Sequence, residues 1–294
     1  MKCNLFFCIN NLEFASVDDL KFAIDELFLT KDKALEGGDI LIGNTTESYA
    51  NRCNFGTYCD LCYANDVLDR EYKEKLCILI EQNNAASHTC ADLNAIIQNY
   101  PTDYNSLFGF KTGEEDIVFN ISSWLNWHSD YFIASPPSQA TFCSLLQPYF
   151  PNLYLNPNTI PASLGSFRNP SYGDVMKSIL YHLRGLNDFY YDCFKTGKAG
   201  DSACEELENN FKNKELRIEA SRDRNDIENL NIDFYDESTN TKKTLYCDLH
   251  TKFKQYFEIE APSQDQRSKR LYFHFPLEGF LEGRVLIALI GAHQ

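Results

Sequence analysis

The stretch LYCDLHTKF, residues 245–253, decides the fold class because its apolar and polar residues alternate. Alternation with a period of two is typical of a β-strand with two different faces. One face of this strand collects four polar residues: Tyr246, Asp248, His250 and Lys252. The stretch RLYFHF, residues 270–275, repeats the pattern and contributes three more: Arg270, Tyr272 and His274. The C-terminal part of the chain is therefore predicted to be a β-sheet.

The segments around these strands predict an α+β fold. Residues 285–290 are apolar on both faces, as expected of a central strand. Upstream, residues 174–194 carry the longest helical pattern, with apolar residues three and four positions apart. We predict a helix-rich N-terminal two-thirds followed by a C-terminal antiparallel β-sheet.

Three regions follow from the punctuation of the chain. Pro136-Pro137 is the clearest break in the first half. We expect an N-terminal α/β region at residues 1–135, a helical region at 136–229, and the antiparallel sheet at 230–294. Residues 214–230 are rich in both charge signs and are expected to be exposed.

Net charge limits the function classes. The 294 residues include 27 Lys and Arg against 42 Asp and Glu, a formal charge of −15. A protein that binds nucleic acid nonspecifically needs a basic face to release counterions. A protein that binds anionic membranes needs a basic face as well. However, residues 245–294 hold six basic and six acidic residues. A local phosphate-contacting face remains compatible with this distribution.

The cellular compartment is inferred from the signal-peptide and membrane-span patterns, which are not found, and from the cysteines. The first apolar run is too short for a signal peptide, and no window resembles a membrane span. The 11 cysteines are an odd number at irregular spacing. This favours free thiols over a disulfide framework, so we expect a cytoplasmic protein with no membrane contact.

Catalytic chemistry is expected on the sheet face that carries these polar residues if the two strands are neighbours. That face would join six candidate residues: Asp248, His250, Lys252, Arg270, Tyr272 and His274. Histidine, lysine, arginine and tyrosine transfer protons and bind phosphate oxygens. The alternative is an ordinary solvated sheet face, since alternating polar residues occur on many sheets.

A family resemblance rests on the C-terminal half. The residues that carry it are His250-Thr251-Lys252, the run 270–274, and VLIALIG at 285–291, preceded by the helix and Phe-x-x-Leu strand at 140–153. Over residues 138–294 the chain resembles an uncharacterised bacterial family associated with phage-defence and restriction gene clusters. The resemblance implies an accessory or effector subunit that acts in a protein complex, beside a partner ATPase. The acidic helical part would then be a protein-contact surface.

A second resemblance implies a different function. The terminal hairpin is similar to the last strands of RelE/ParE-type toxins, some of which cleave RNA on a sheet face. It implies that Arg270 or Lys252 holds the scissile phosphate. His250, His274 or Tyr272 would then act as acid or base. The alternative function is therefore a nuclease toxin, and a purely structural interaction protein is the third hypothesis.

Metal sites are only partly indicated. His250-Thr251-Lys252 stands where a metal-dependent nuclease has Glu-x-Lys, but histidine weakens binding of a hard cation. Cys59 and Cys62 form a CxxC, with Cys53 six residues earlier, which is half of a zinc site. The remaining ligands would have to come from Cys77 or from His88 and Cys90, and packed thiols are the alternative. The sequence assigns no cofactor.

Overall fold

The computed structural model describes residues 3–9, 11–43, 45–81, 105–110, 117–168, 171–188, 201–213, 218–223, 228–253 and 269–292. The chain divides into two compact units, Met1–Ser135 and Pro136–Gln294. Helices and several sheets are present, so the α+β prediction is confirmed. Residues 136–229 and 230–294, which we expected as separate regions, belong to the same unit.

The N-terminal unit contains short strands and five described helices. The strands are β1 Asn4–Phe7, β2 Ile40–Ile42, β3 Arg52–Cys53, β4 Gly56–Thr57, β5 Asn105–Phe108 and β6 Ile117–Val118. The helices are α1 Val17–Glu36, α2 Thr45–Ala50, α3 Tyr58–Tyr63, α4 Arg70–Ile80 and α5 Ile121–Ala134. Four strands form a parallel sheet of order β2-β1-β5-β6, while β3 and β4 pair antiparallel.

Helix α1 shows how the sequence sets local structure in this unit. The Ser16 hydroxyl accepts a hydrogen bond from the Asp19 backbone N–H, and Asp18 and Asp19 lie in the first turn. Both features stabilise a helix N-terminus. Three residues at helical spacing are buried: Leu20, Ile24 and Leu27. The helix therefore packs one apolar stripe against its own unit.

The C-terminal unit contains seven described strands and four α-helices. The strands are β7 Leu153–Leu155, β8 Glu219–Arg222, β9 Asn231–Asp236, β10 Thr241–Tyr246, β11 Leu249–Lys252, β12 Lys269–His274 and β13 Val285–Ala292. The helices are α6 Phe142–Leu146, α7 Ile160–Leu164, α8 Met176–Asp188 and α9 Asp201–Asn213. Single 3₁₀ turns occur at Gln139–Thr141, Gln147–Tyr149, Gly173–Val175, Glu228–Leu230 and Leu281–Gly283.

A five-stranded sheet organises this unit in the order β7-β13-β12-β11-β8. Strands β8, β11, β12 and β13 are antiparallel neighbours, whereas β7 joins β13 in parallel. Strand β13 is buried along residues 285–290, in agreement with its apolar sequence. Strands β9 and β10 form a separate two-stranded hairpin.

The stretch 245–253 is not one strand, as its alternation predicted. Tyr246 ends β10 in the hairpin, and Leu249 begins β11 in the five-stranded sheet. Between them, the Cys247 N–H donates to the Leu230 carbonyl, and the Asp248 carbonyl accepts from the Asp223 N–H. The chain thus passes from one sheet to the other without losing its alternation. Lys254 lies outside the described residues.

The two faces of the five-stranded sheet have different neighbours. On one face, Thr251 Oγ1 lies 2.8 Å from Nδ1 of His182, a buried residue of α8. On the other face, Tyr272 packs with Ile232 and Phe234 of the hairpin. The face that carries the predicted polar residues is therefore partly covered by the β9–β10 hairpin rather than fully solvated.

Candidate functional site

The register of β8, β11 and β12 arranges polar residues in two rows on one sheet face. Directly opposite one another in the first row are Ser221, His250 and Tyr272. The second row, two residues along each strand and about 7 Å away, holds Glu219, Lys252 and Arg270. Asp223 follows β8 on the same side as Ser221. We call these seven residues the polar face.

His250 is the centre of the first row. Its Nε2 lies 2.8 Å from Ser221 Oγ. Its Nδ1 lies 3.3 Å from the Asp248 carbonyl oxygen and 3.5 Å from Asp223 Oδ2. Because both neighbours of Nδ1 are acceptors, Nδ1 carries the ring proton and Nε2 accepts the hydrogen of the Ser221 hydroxyl.

His250 is held in the neutral form. Burial lowers the pKa of His250 to about 4, and the cationic side chains of Arg270 and Lys252 act in the same direction. The Asp223 carboxylate opposes this effect by favouring the imidazolium. At neutral pH the imidazole can therefore accept a proton at Nε2, and Asp223 stabilises the cation that forms.

Asp223 is fixed by two contacts of its own. The Tyr272 hydroxyl donates to Asp223 Oδ2 at 3.0 Å, and the Asp223 backbone N–H donates to the Asp248 carbonyl at 3.0 Å. Tyr272 is fully buried, and its ring lies against the His250 ring with centroids 5.3 Å apart. The carboxylate that faces His250 is thus oriented by the sheet and by the buried phenol.

The second row is the more exposed part of the polar face. Lys252 Nζ lies 3.6 Å from Glu219 Oε2, with 22% of the Lys252 side chain and 36% of the Glu219 side chain exposed. Arg270 Nη1 donates to the Lys269 carbonyl at 2.9 Å. Burial lowers the pKa of Arg270, but arginine remains cationic in proteins. Two cations thus lie opposite each other at the accessible edge of the face.

Four of the six predicted residues come together, and two have other roles. His250, Lys252, Arg270 and Tyr272 lie on the polar face. The Asp248 carboxylate instead accepts from Arg222 Nε at 2.6 Å, and only its backbone carbonyl reaches His250.

His274 lies beyond a β-bulge at Tyr272 and Phe273, on the side away from Arg270. The His274 ring hydrogen-bonds the Phe275 carbonyl through Nδ1, at 2.7 Å. It lies two residues along β12 from Tyr272, on the far side of the first row from Lys252 and Arg270.

The sequence reasoning missed three residues of the polar face: Glu219, Ser221 and Asp223. They lie in the segment expected to be exposed and irregular, whereas the structure places most of them in strand β8. Residues 218–221 alternate apolar and polar, and Arg222 ends the alternation before Asp223. That alternation was the signal for a short strand, and the surrounding charges obscured it.

The cysteines do not form a metal site in the described residues. No group of three or more His, Cys, Asp or Glu side chains in the described ranges is arranged to bind a metal ion. Among the residues that the structure describes, eight cysteines are free, including Cys53, Cys59 and Cys62. Cys8 is disulfide-bonded, so the expectation of free thiols fails at that residue.

A cavity of about 560 Å³ lies elsewhere in the C-terminal unit. Its walls come from β7, the β9–β10 turn and the loop before β13, and include Tyr154, Glu237 and Arg284. Asp236 joins two walls by accepting from the Leu281 N–H at 2.8 Å and from the Ser238 hydroxyl at 2.6 Å. None of the six predicted site residues lines this cavity.

No family model matches the chain, and no curated protein or solved structure is found to be similar to it. The bacterial phage-defence resemblance therefore stays a prediction from the sequence. Within the described ranges, every helix is too short or too polar to cross a bilayer. The polar face is consequently the main basis for assigning a function.

Proposed function

We propose that the polar face cleaves phosphodiester bonds in nucleic acid. The observation that carries this proposal is the register of β11 and β12, in which Lys252 lies opposite Arg270, one row from His250. Arginine and lysine bind phosphate oxygens, and arginine does so with a planar pair of donors. A neutral histidine beside such a cation pair is the group that general acid–base cleavage requires.

The chemistry follows from these positions. The scissile phosphate binds at Lys252 and Arg270, which neutralise the negative charge that builds up on its oxygens in the transition state. His250 Nε2 accepts the proton of the attacking hydroxyl group and returns it to the leaving oxygen. Asp223 stabilises the imidazolium between these steps, as its distance of 3.5 Å from Nδ1 allows.

Substrate size is limited by the charge of the chain. The total charge of −15 opposes a long polyanion, and the two cations of the polar face are accompanied by the carboxylates of Glu219 and Asp223. Neutralising two phosphates on a single strand corresponds to a slope of about −1.4 in log affinity against log salt. We therefore propose a short single-stranded RNA or DNA segment as the substrate, bound with a weak dependence on salt.

The biological setting that we propose comes from the sequence resemblance. The chain would be the effector subunit of a bacterial antiphage defence system, acting in a complex with a partner ATPase. The distribution of charge supports this, because the entire net charge of −15 lies in residues 1–244, where an acidic surface suits contact with a protein. Its test is co-expression with the products of neighbouring genes, followed by co-purification and a phage-protection assay.

The nuclease proposal is tested with the purified full chain. End-labelled single-stranded RNA and DNA are incubated with and without Mg²⁺ or Mn²⁺, and the products are separated on denaturing gels. We expect cleavage that falls about 100-fold or more in His250→Ala and in the Lys252→Ala/Arg270→Ala double variant. The control is Lys212→Ala/Lys242→Ala, which removes two lysines whose side chains are 71% and 62% exposed. Absence of cleavage, or equal loss in the control, would overturn the proposal.

A further inference from the structure

We propose that Ser221 is the catalytic nucleophile of the polar face and forms a covalent phosphoseryl intermediate. This inference rests on the proposed phosphodiester cleavage, and it names the hydroxyl group that attacks. Ser221, His250 and Asp223 have the relationship of a nucleophile, a base and an orienting carboxylate.

The geometry on both sides of the imidazole supports these roles. Ser221 Oγ lies 2.8 Å from Nε2, which is hydrogen-bond distance for a hydroxyl that donates to the ring. Nδ1 carries the proton because it faces Asp223 Oδ2 at 3.5 Å and the Asp248 carbonyl at 3.3 Å. This is the tautomer in which the histidine can remove the serine proton.

The residues of this group also differ in burial, with the nucleophile more exposed than the base, as catalysis requires. His250 is 2% exposed and Tyr272 is fully buried, so the base and the group that fixes Asp223 are shielded from water. Ser221 is only partly buried and lies on the outer strand β8, one row from Lys252 and Arg270. The nucleophile is thus the member of the trio that a substrate held by the two cations can approach.

The reaction balances without an added oxidant or reductant. Ser221 Oγ forms a bond to phosphorus as its proton moves to His250 Nε2, and the bond between phosphorus and the leaving oxygen breaks. That oxygen takes the proton from His250. Water then attacks the phosphoserine and gives its proton to His250. The bond from Oγ to phosphorus breaks, and Ser221 recovers its proton.

The test uses a fluorophosphonate probe, which phosphonylates activated serine hydroxyls, on the full chain. We expect the labelled peptide to contain Ser221, and the label to be lost in Ser221→Ala and in His250→Ala. Ser221→Cys should retain part of the cleavage because a thiol replaces the hydroxyl as nucleophile. The control is Ser144→Ala, which removes an exposed hydroxyl that donates to the Thr141 carbonyl at 3.1 Å.

The outcomes separate this inference from the proposed nuclease function. Cleavage that persists in Ser221→Ala but is lost in His250→Ala would overturn Ser221 as nucleophile and leave the nuclease proposal intact. Labelling of Ser221 without cleavage of any nucleic acid would support an activated serine and overturn the nuclease proposal. A label on another residue, or no label, would overturn the inference.

Discussion

The Tyr272 hydroxyl donates a hydrogen bond of 3.0 Å to Asp223 Oδ2, the same oxygen that lies 3.5 Å from His250 Nδ1. The bond joins a fully buried tyrosine to a carboxylate whose side chain is 13% exposed. The carboxylate therefore has a fixed position when the imidazole takes up a proton. In the proposed reaction, Tyr272 does not touch the substrate but positions the carboxylate that stabilises the base.

Replacing Tyr272 by phenylalanine should show this positioning role. Tyr272→Phe keeps the ring in the core but removes the donor, and should lower the free energy of unfolding by about 1–2 kcal/mol. Cleavage should fall while binding of the nucleic acid is unchanged, which appears as lower kcat at constant KM. The control is Tyr235→Phe, since the Tyr235 hydroxyl is exposed and bonds Asn240. A rise in KM alone would contradict the prediction.

Acid stability should depend on two buried histidines of the C-terminal unit. Burial lowers the pKa of His250 to about 4 and that of His182 to about 3, below the ordinary value near 6.5. Between these values the unfolded chain binds more protons than the folded chain. Stability is therefore greatest above pH 6.5, decreases as the pH falls, and levels off once the folded histidines are protonated.

This pH dependence can be measured by urea unfolding of the full chain from pH 7.5 to pH 4. The contribution of His250 is at most about 3 kcal/mol over that interval. His250→Gln should flatten the curve, and His182→Gln should flatten it independently. At pH 7.5 both histidines are neutral, so comparing each variant with the native sequence there measures the stability lost with the contacts of the uncharged side chain. An unchanged slope in both variants would show that other groups cause the acid sensitivity.

Much of the polar face was predictable from alternation, because neighbouring strands bring alternate residues to one side. That reasoning placed His250, Lys252, Arg270 and Tyr272 on one face, and the register confirms their adjacency. It could not detect the change of sheet at Cys247 and Asp248, since a strand keeps its period of two in either sheet. The alternation also could not predict that Tyr272 is buried, because the hairpin that covers this residue makes a tertiary contact.

Ser221 and Asp223, the part of the site that was not predicted, were missed for a different reason. Ser221 belongs to a four-residue strand within a charged segment, and Asp223 follows that strand directly. A short edge strand leaves little periodic signal. Their relation to His250 arises from the pairing of β8 with β11, between residues 29 positions apart. The constellation of serine, histidine and aspartate is therefore a product of topology, and no local motif encodes it.

Two glycines of the C-terminal unit should tolerate alanine very differently. A Cβ at Gly291, which pairs with Arg270, would lie 2.4 Å from the Ser163 carbonyl oxygen. A Cβ at Gly185, inside α8, would meet the end of the Ile218 side chain at 2.8 Å. The Ser163 backbone cannot move aside as the end of the Ile218 side chain can. In a helix, alanine is also more favourable than glycine by about 1 kcal/mol of free energy.

We therefore expect Gly291→Ala to lower the free energy of unfolding by about 1–3 kcal/mol. Gly185→Ala should be close to neutral, because the gain in helix propensity offsets the local rearrangement. Urea unfolding of the two variants in parallel checks this difference. Equal destabilisation would mean that the contact between α8 and Ile218 is as rigid as the backbone contact at Gly291.

A buried carboxylate in the N-terminal unit supports the last prediction. Asp39 Oδ2 accepts from Trp124 Nε1 at 2.9 Å and lies 3.0 Å from His128 Nε2, while Oδ1 accepts from the Cys3 N–H at 3.1 Å. The Asp39 and His128 side chains are essentially inaccessible. Burial lowers the pKa of His128 although Asp39 opposes this, so His128 is a neutral donor to the carboxylate.

Trp124→Phe removes one donor from this buried carboxylate and should destabilise the N-terminal unit by about 1–3 kcal/mol. Trp127→Phe is the matched control, because Trp127 lies on the same helix, is only partly buried and stacks on Tyr131 with ring centroids 6.2 Å apart. Thermal unfolding followed by circular dichroism measures both. An equal loss in the control would show that lost aromatic packing, rather than the donor to Asp39, accounts for the effect. A larger loss in Trp124→Phe would show that the Asp39 carboxylate depends on its indole donor to remain buried.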